Sequence, residues 1–209
     1  LAVFIISILY PFWNLLVISL NSPRAGSLTG IAVWPRKFTL DNYRYVLNTR
    51  FIWTGYRETF IRTFFGTLLT MLVTSCGAYA LSKRYLPSRM LWTVIIVIPM
   101  FFSGGLIPSY LLNVKLGLID KRLVLIIPGL VSSFSLIIMR NFFMTIPAEL
   151  EESARIDGAS SIKVLFFIII PVSKAVIATV SLWTIVGHWN SWFDAMIYMR
   201  TPEKMPLQV

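Results

Sequence analysis

The sequence has little of what soluble enzymes are built from. Of its 209 residues nine are acidic, one is cysteine and one is histidine. A lone histidine, His188, leaves no His-rich metal site and no catalytic triad; it reads as a polar residue at the outer end of a span. A lone cysteine, Cys76, cannot close an intrachain disulfide, so cysteine usage says nothing about redox compartment. No G-x-x-x-x-G-K-[ST] run occurs, so the chain carries no phosphate loop of this type. Charged residues make up only 13% of the chain, against 56% hydrophobic, whereas soluble domains carry about 25% charged. In water such a chain would expose large apolar patches.

What is present are apolar blocks about 20 residues long, the length a helix needs to cross ~30 Å of hydrocarbon at ~1.5 Å per residue. Five spans are expected, over 1–20, 60–82, 90–112, 123–143 and 164–186. The runs are continuous, not alternating, so they read as helices and not barrel strands. The fold class is therefore an all-α polytopic membrane bundle. Pro11, Pro99, Pro108, Pro128 and Pro171 each remove a backbone hydrogen bond and are expected to bend their spans. Ser103-Gly104-Gly105 marks a break or a close helix contact in the third. Leu1 already lies inside an apolar run with no basic flank or cleavage site before it, so residues 1–20 read as most of a span and both chain ends as cut.

Net charge is +10. The Lys and Arg residues cluster between the apolar blocks, which suits lipid-headgroup anchoring; no motif supports nucleic-acid binding. The loop 21–57 is long and polar, with turn residues Pro23, Gly26, Gly30 and Pro35 and interface-type aromatics such as Trp34, Tyr43 and Trp53. Asp41 or Thr39 is placed to cap a short helix running through Leu47. Loops 83–89 and 144–163 share one side of the membrane and, with Arg140, carry six cations; the opposite side carries about twice as many. The positive-inside rule alone would put the long loop in the cytoplasm. The motif in 144–163 argues for the reverse.

Residues 147–171 read PAELEESARIDGASSIKVLFFIIIP. Pro147 suits a first helical turn. Glu149, Glu151 and Glu152 favour the N-terminal dipole, Glu151 and Arg155 are spaced i,i+4, and Gly158 can stop the helix in a left-handed conformation. Ser160 or Ser161 can then cap a new helix. The expectation is a surface helix of about 11 residues, roughly 16 Å long, then a sharp turn into the fifth span. Small residues Ser153, Ala154, Gly158 and Ala159 are expected on one face. Interfacial helices on lipid are usually basic, and an anionic leaflet would repel this acidic one. A protein partner is the better reading.

The spacing Glu152-Ser153-Ala154, then Gly158, then Ile168-Ile169-Ile170-Pro171 resembles the signature of binding-protein-dependent ABC importer permeases, with Ser153 in place of Ala and Ile170 in place of Leu. The runs 38–43 (FTLDNY), 78–82 (AYALS), 156–160 (IDGAS) and Trp189-Asn190 resemble the carbohydrate branch, close to the maltose-type inner subunit. Residues 101–110 with Leu116-Gly117-Leu118-Ile119-Asp120 resemble LplC-like permeases associated with uronate-containing oligosaccharides. The resemblance covers nearly the whole chain. It implies a type I importer permease with six spans and no catalytic chemistry of its own, multi-pass in the bacterial inner membrane. It also implies a heterodimer with a second permease, two ATPase subunits that hold ATP and Mg, and an extracytoplasmic solute-binding protein facing 21–57. The helix in 144–163 would be the cytoplasmic coupling helix, moved when the ATPases close. Glu151, Glu152, Ser153, Ala154 and Pro171 would be ATPase-coupling residues, with Glu152 as the motif carboxylate facing the ATPase. Gly158 would set the turn and Asp157 fix it by hydrogen bonding.

Ionisable residues in or near spans default to functional candidates. Arg62, Arg140 and Asp194 lie near span ends and read as snorkelling side chains. Lys174 is expected to face the bundle or a watery cavity. Trp189, Asn190, Trp192 and Asp194 suit either sugar contact, through stacking and hydroxyl bonding, or an interfacial belt. Two rivals are an ion-gradient-driven secondary transporter and a membrane-embedded enzyme. The first needs carboxylates near the midplane and the second convergent reactive groups; the sequence presents neither. An ABC permease for another solute is the nearer alternative, since the residues do not name the sugar.

Overall fold

The computed structural model describes residues 1–22 and 33–209; the turn residues Pro23, Gly26 and Gly30 lie outside the described residues. It forms two compact units, Leu1–Trp53 and Thr54–Val209. Among the described residues there is no strand, only an isolated bridge between Asn21 and Phe38.

In the first unit, α1 (Ala2–Ser19) ends in four carbonyls that lack helical partners. The 38–43 run satisfies this end. Thr39 N–H donates to the Leu20 carbonyl at 2.9 Å, and the Asn42 amide donates to the carbonyls of Ser19 and Asn21 at 3.0 Å each. The following helix α2 (Asp41–Asn48) begins where the Thr39 hydroxyl accepts the Asp41 N–H at 3.1 Å. Leu40 is the N-cap and makes no side-chain cap, so neither Asp41 nor Thr39 caps the helix as expected; the Thr39 hydroxyl holds the first helical N–H from one position outside that cap.

Helix α3 (Arg50–Ser82) runs 33 residues without proline, about 50 Å at ~1.5 Å per residue. The span expected over 60–82 is its C-terminal portion. It is the one described helix that is by itself long and apolar enough to cross a membrane. The next three spans are broken, and the described helices supply up to four crossings if each bent pair counts as one; α1, over Val3–Ser19, is a shorter apolar helix. Helix α4 (Arg89–Phe101) meets α5 (Leu106–Lys115) at 115°, across the Ser103-Gly104-Gly105 break. Gly105 has φ +83°, a conformation that L side chains disfavour. Residues 90–112 are thus not one continuous helix. In the fourth block, short 3₁₀ turns (Arg122–Leu125 and Ile127–Gly129) precede α6 (Ser133–Phe143) with a 50° bend.

After the surface helix α7 (Ala148–Ile156), the fifth block is α8 (Ser161–Val164), a π-helical stretch Leu165–Ile169, α9 (Ile170–Val172), then α10 (Lys174–Asn190) after an 89° bend. Pro171 has no N–H to return to the Phe167 carbonyl, and the helix widens just before it. Ser173, fully buried, sits at the break, and its N–H is shared between the carbonyls of Ile169 and Ile170. The short α11 (Phe193–Tyr198) follows.

Three glycines on α3, Gly55, Gly66 and Gly77, are spaced by 11 residues, about three helical turns. A Cβ at Gly66 would lie 2.5 Å from His188 Nε2, at Gly77 3.1 Å from a Leu136 methyl, and at Gly55 3.1 Å from the Leu207 Cα. One face of α3 is thus where α10, α6 and the C-terminal segment approach closely. The apolar interior gathers at two places. One cluster contains Ala78, Met139, Phe143, Val164 and Ile169 near α7; the other contains Val124, Leu125, Ala195, Tyr198 and Met199.

Beside the second cluster, the buried Glu58 accepts from Arg122 Nε at 2.5 Å and Nη2 at 2.9 Å, and from Arg57 Nη2 at 2.9 Å. Asp120 accepts the N–H groups of Arg200 and Thr201 at 3.0 Å, the Thr201 hydroxyl at 2.6 Å and Lys204 Nζ at 3.0 Å. The 3₁₀ turns and the C-terminal segment are so tied to α3. Removing the buried charge should be costly, though less than the ~3–5 kcal/mol of a fully enclosed pair because both guanidiniums reach solvent. Glu58→Gln is expected to cost on the order of 2 kcal/mol and to lower the thermal midpoint of the detergent-purified protein. Arg57→Ala, at a mostly exposed partner, should leave that midpoint nearly unchanged.

Candidate functional site

The surface helix α7 is nine residues long, shorter at both ends than expected. Pro147 is its N-cap and Asp157 its C-cap. Its stop is a Schellman turn: Ala159 N–H reaches the Ala154 carbonyl at 2.9 Å and Gly158 N–H the Arg155 carbonyl at 3.0 Å. Gly158 has φ +80° and open space around it. The turn therefore requires glycine for its backbone, not for room. The Asp157 carboxylate makes no hydrogen bond or ion pair among the described residues, so backbone bonds alone close the turn. Ser160 caps the next helix, its hydroxyl accepting the Lys163 N–H at 3.4 Å.

Helix α7 is moored by Glu151. The Tyr79 hydroxyl donates to its carboxylate at 2.8 Å, Arg155 donates at 2.7 Å, and Lys83 pairs with the other oxygen. Lys83 Nζ also sits 3.8 Å above the Tyr79 ring, and Arg155 donates to the Tyr85 hydroxyl at 2.6 Å. The i,i+4 pair Glu151–Arg155 is thus one part of a larger network. Tyr79, Lys83 and Tyr85 were missed from sequence, because nothing local says which loop they meet. Glu151 faces inward, whereas Glu149, Glu152, Ser153 and Asp157 are exposed. The expected small-residue face is divided: Ala154 and Ala159 pack on the apolar cluster below, while Ser153 and Gly158 face out. Pro171 is exposed and belongs to the bend of the fifth block. An open groove of about 820 Å³ runs beside α7, lined in part by Arg84, Tyr85, Pro147, Glu149 and Glu152.

Burial alone would raise the Glu151 carboxyl, but Lys83, Tyr79 and Arg155 outweigh it and hold it below the ordinary carboxylate range. A carboxyl lowered by folding contributes stability above its unfolded pKa and loses it as pH falls through the folded value. Protection of the α7 amides from hydrogen exchange should therefore persist from pH 7 to pH 5 and fall only at more acidic pH. Glu151→Gln should remove much of that protection at pH 7 and flatten the profile.

Toward the other end of α3, a cavity of about 550 Å³ opens between α3, the 3₁₀ turns, α6 and α10. Arg62 lines it, 5% exposed, so it does not snorkel. Its guanidinium pairs with Asp194 and donates to the Ser191 carbonyl at 3.0 Å. Asp194 in turn accepts the Ser191 hydroxyl at 2.8 Å and the Ala195 N–H at 3.0 Å. His188, in the last turn of α10 as expected of an end-of-span residue, also lines the cavity, over Gly66. Phe134 and Trp183 form a tilted pair with centroids 5.9 Å apart on its wall. Of the sugar-contact candidates, Asp194 alone lines this cavity. Trp189, Asn190 and Trp192 are exposed, and Lys174 is exposed and lines neither space. Arg140, expected to snorkel, donates through Nε to the Leu81 carbonyl at 3.3 Å and so satisfies the end of α3.

A helical chain with broken spans and a moored surface helix ending in a glycine turn has the architecture of an importer's membrane subunit. Over residues 66–193 the chain matches the family described as the binding-protein-dependent transport system inner membrane component, and it belongs to that family. It is 43% identical over 177 residues to Protein LplC of Bacillus subtilis (strain 168), covering 85% of this chain and 60% of that protein. Over 175 residues it is 41% identical to YtcP of the same organism, named as a polygalacturonan/rhamnogalacturonan transport system permease protein, covering 84% and 61%. The chain thus spans about three-fifths of these curated relatives. A solved structure of a bacterial ABC transporter involved in import of the acidic polysaccharide alginate superposes with a TM-score of 0.95 and 35% identity, over 99% of this chain and 74% of that one. The fold is that of the type I ABC importer permeases, and the family is one of transport subunits, not enzymes.

Proposed function

We propose that this chain is the membrane-spanning permease subunit of an ATP-driven oligosaccharide importer and forms half of the translocation pathway. It lies in the bacterial cytoplasmic membrane with 144–163 inside the cell and 21–57 outside. It works with a second permease subunit, two ATPase subunits that bind ATP and Mg, and an extracytoplasmic solute-binding protein. The substrate is an acidic, uronate-containing oligosaccharide. The polygalacturonan and alginate named for YtcP and the alginate transporter support that class, and the +10 net charge suits it.

The observation that carries this reading is the outer surface of α7. Ile156 is 86% exposed at its tip and Leu150 44%, among the outward-facing Glu149, Glu152 and Asp157. An apolar tip inside an acidic rim, rigidly moored from behind, suits a groove in a protein and not an anionic lipid surface. A secondary transporter is disfavoured by the pairing of Glu58 and Asp194 with arginines, which leaves neither carboxylate free to take an ion.

Gly158→Val forces a β-branched residue into a left-handed backbone and should break the Schellman turn. With the complete transporter expressed in cells, the variant should lose most substrate uptake, and pull-down through this chain should recover at least tenfold less ATPase. Normal ATPase recovery together with normal uptake would overturn the coupling assignment.

A further inference from the structure

The Arg62–Asp194 pair has an asymmetry that a purely structural ion pair does not need. Nε and Nη2 of an arginine share one edge, and a carboxylate meeting that edge squarely takes both donors. In the cavity, Nη2 is on Asp194 Oδ2 while Nε, itself buried, has no partner. Asp194 cannot turn to supply the second bond, because its Oδ1 is held by the Ser191 hydroxyl and the Ala195 N–H. The burial is unequal too: the Arg62 side chain is 6% exposed and that of Asp194 29%. A buried guanidinium is thus half-satisfied by a carboxylate that reaches solvent and keeps two other hydrogen bonds if it lets go.

The surroundings suit a sugar. The cavity falls within the ~300–1,000 Å³ range of small-molecule sites. Phe134 and Trp183 offer aromatic faces for the C–H surface of a pyranose. Thr70, 2% exposed, lines the cavity with a hydroxyl that has no partner. A buried guanidinium edge left without a hydrogen-bond partner is costly to keep.

We propose that Arg62 is a specificity-determining residue that receives the carboxylate of an acidic sugar in bidentate fashion, and that Asp194 is the resident competitor that the ligand displaces. This rests on the acidic-oligosaccharide reading above. In the unloaded cavity Asp194 neutralises the guanidinium. A uronate carboxylate takes both Nε and Nη2, and Asp194 retains Ser191 and Ala195. A neutral sugar cannot make the exchange, because it has no charge to offer in place of the one it removes.

Both Arg62→Gln and Asp194→Asn abolish the same ion pair, and the proposal predicts that they act in opposite directions. The complete transporter, purified without its solute-binding protein, is probed by equilibrium dialysis with radiolabelled trigalacturonate and trimannuronate. Arg62→Gln should weaken binding of the preferred trisaccharide at least tenfold. Asp194→Asn should tighten it several-fold. Arg62→Lys, which keeps the charge but not the planar edge, should fall in between, and with Asp194→Asn it carries the test if Arg62→Gln fails to assemble. Changes of the same sign in the Arg62 and Asp194 variants, or none, would overturn the assignment. So would a wild-type transporter that imports either trisaccharide in cells yet shows no binding to the purified complex; the substrate class would then stand without this subsite. Failure of cells to import both trisaccharides would sink the substrate class itself and this subsite with it.

Discussion

Hydrocarbon offers no hydrogen bonds, and α3 carries charged and hydroxylated groups along its length. Each charge near it must find a partner within the chain. Glu58 finds Arg57 and Arg122, Arg62 finds Asp194, and Tyr79 with Lys83 finds Glu151. Those pairings choose which elements lie beside α3, and in what order along it. The close approach at Gly66 and Gly77 presses α10 and α6 onto the same face. The helix is in effect the post to which the 3₁₀ turns, the cavity wall and α7 are fastened.

That arrangement puts the Glu151 network and the Arg62 cavity on one continuous helix. From Arg62 to Tyr79 is 17 residues, about 26 Å at ~1.5 Å per residue. The second connection between them is of a different kind. From the Gly158 turn the chain passes through a π-helical stretch, Pro171 and an 89° break at Ser173 before α10 reaches His188 and Asp194. One link is a continuous helix and the other is jointed.

Local pattern made several features legible. Apolar blocks marked the spans, Ser103-Gly104-Gly105 the break between α4 and α5, and Pro147 through Gly158 a short helix with a left-handed stop. Each of these depends on residues within about one turn of one another, where backbone preference and hydrogen bonding act directly. The bends were not legible in size. A proline states that a bond is missing, but the angle that follows depends on what packs against the freed turn. Arg62 and Asp194 were each visible as charges near span ends, yet their pairing bridges 132 positions, and proximity to an end suggested snorkelling instead.

By itself the sequence determined the solvent and the local devices: a chain that must live in lipid, an acidic surface helix, and a glycine whose left-handed backbone stops it. These follow from composition and from interactions spanning three to five residues. Only the tertiary structure decided which of the glutamates turns inward, that Ala154 and Ala159 pack half-buried on the apolar cluster while Ser153 is exposed, and that Arg62, His188, Trp183 and Asp194 share one cavity. Those outcomes depend on which helix faces which. That is set by close packing at α3's glycines and by the need of buried charges for distant partners, and neither is encoded in any short stretch of chain.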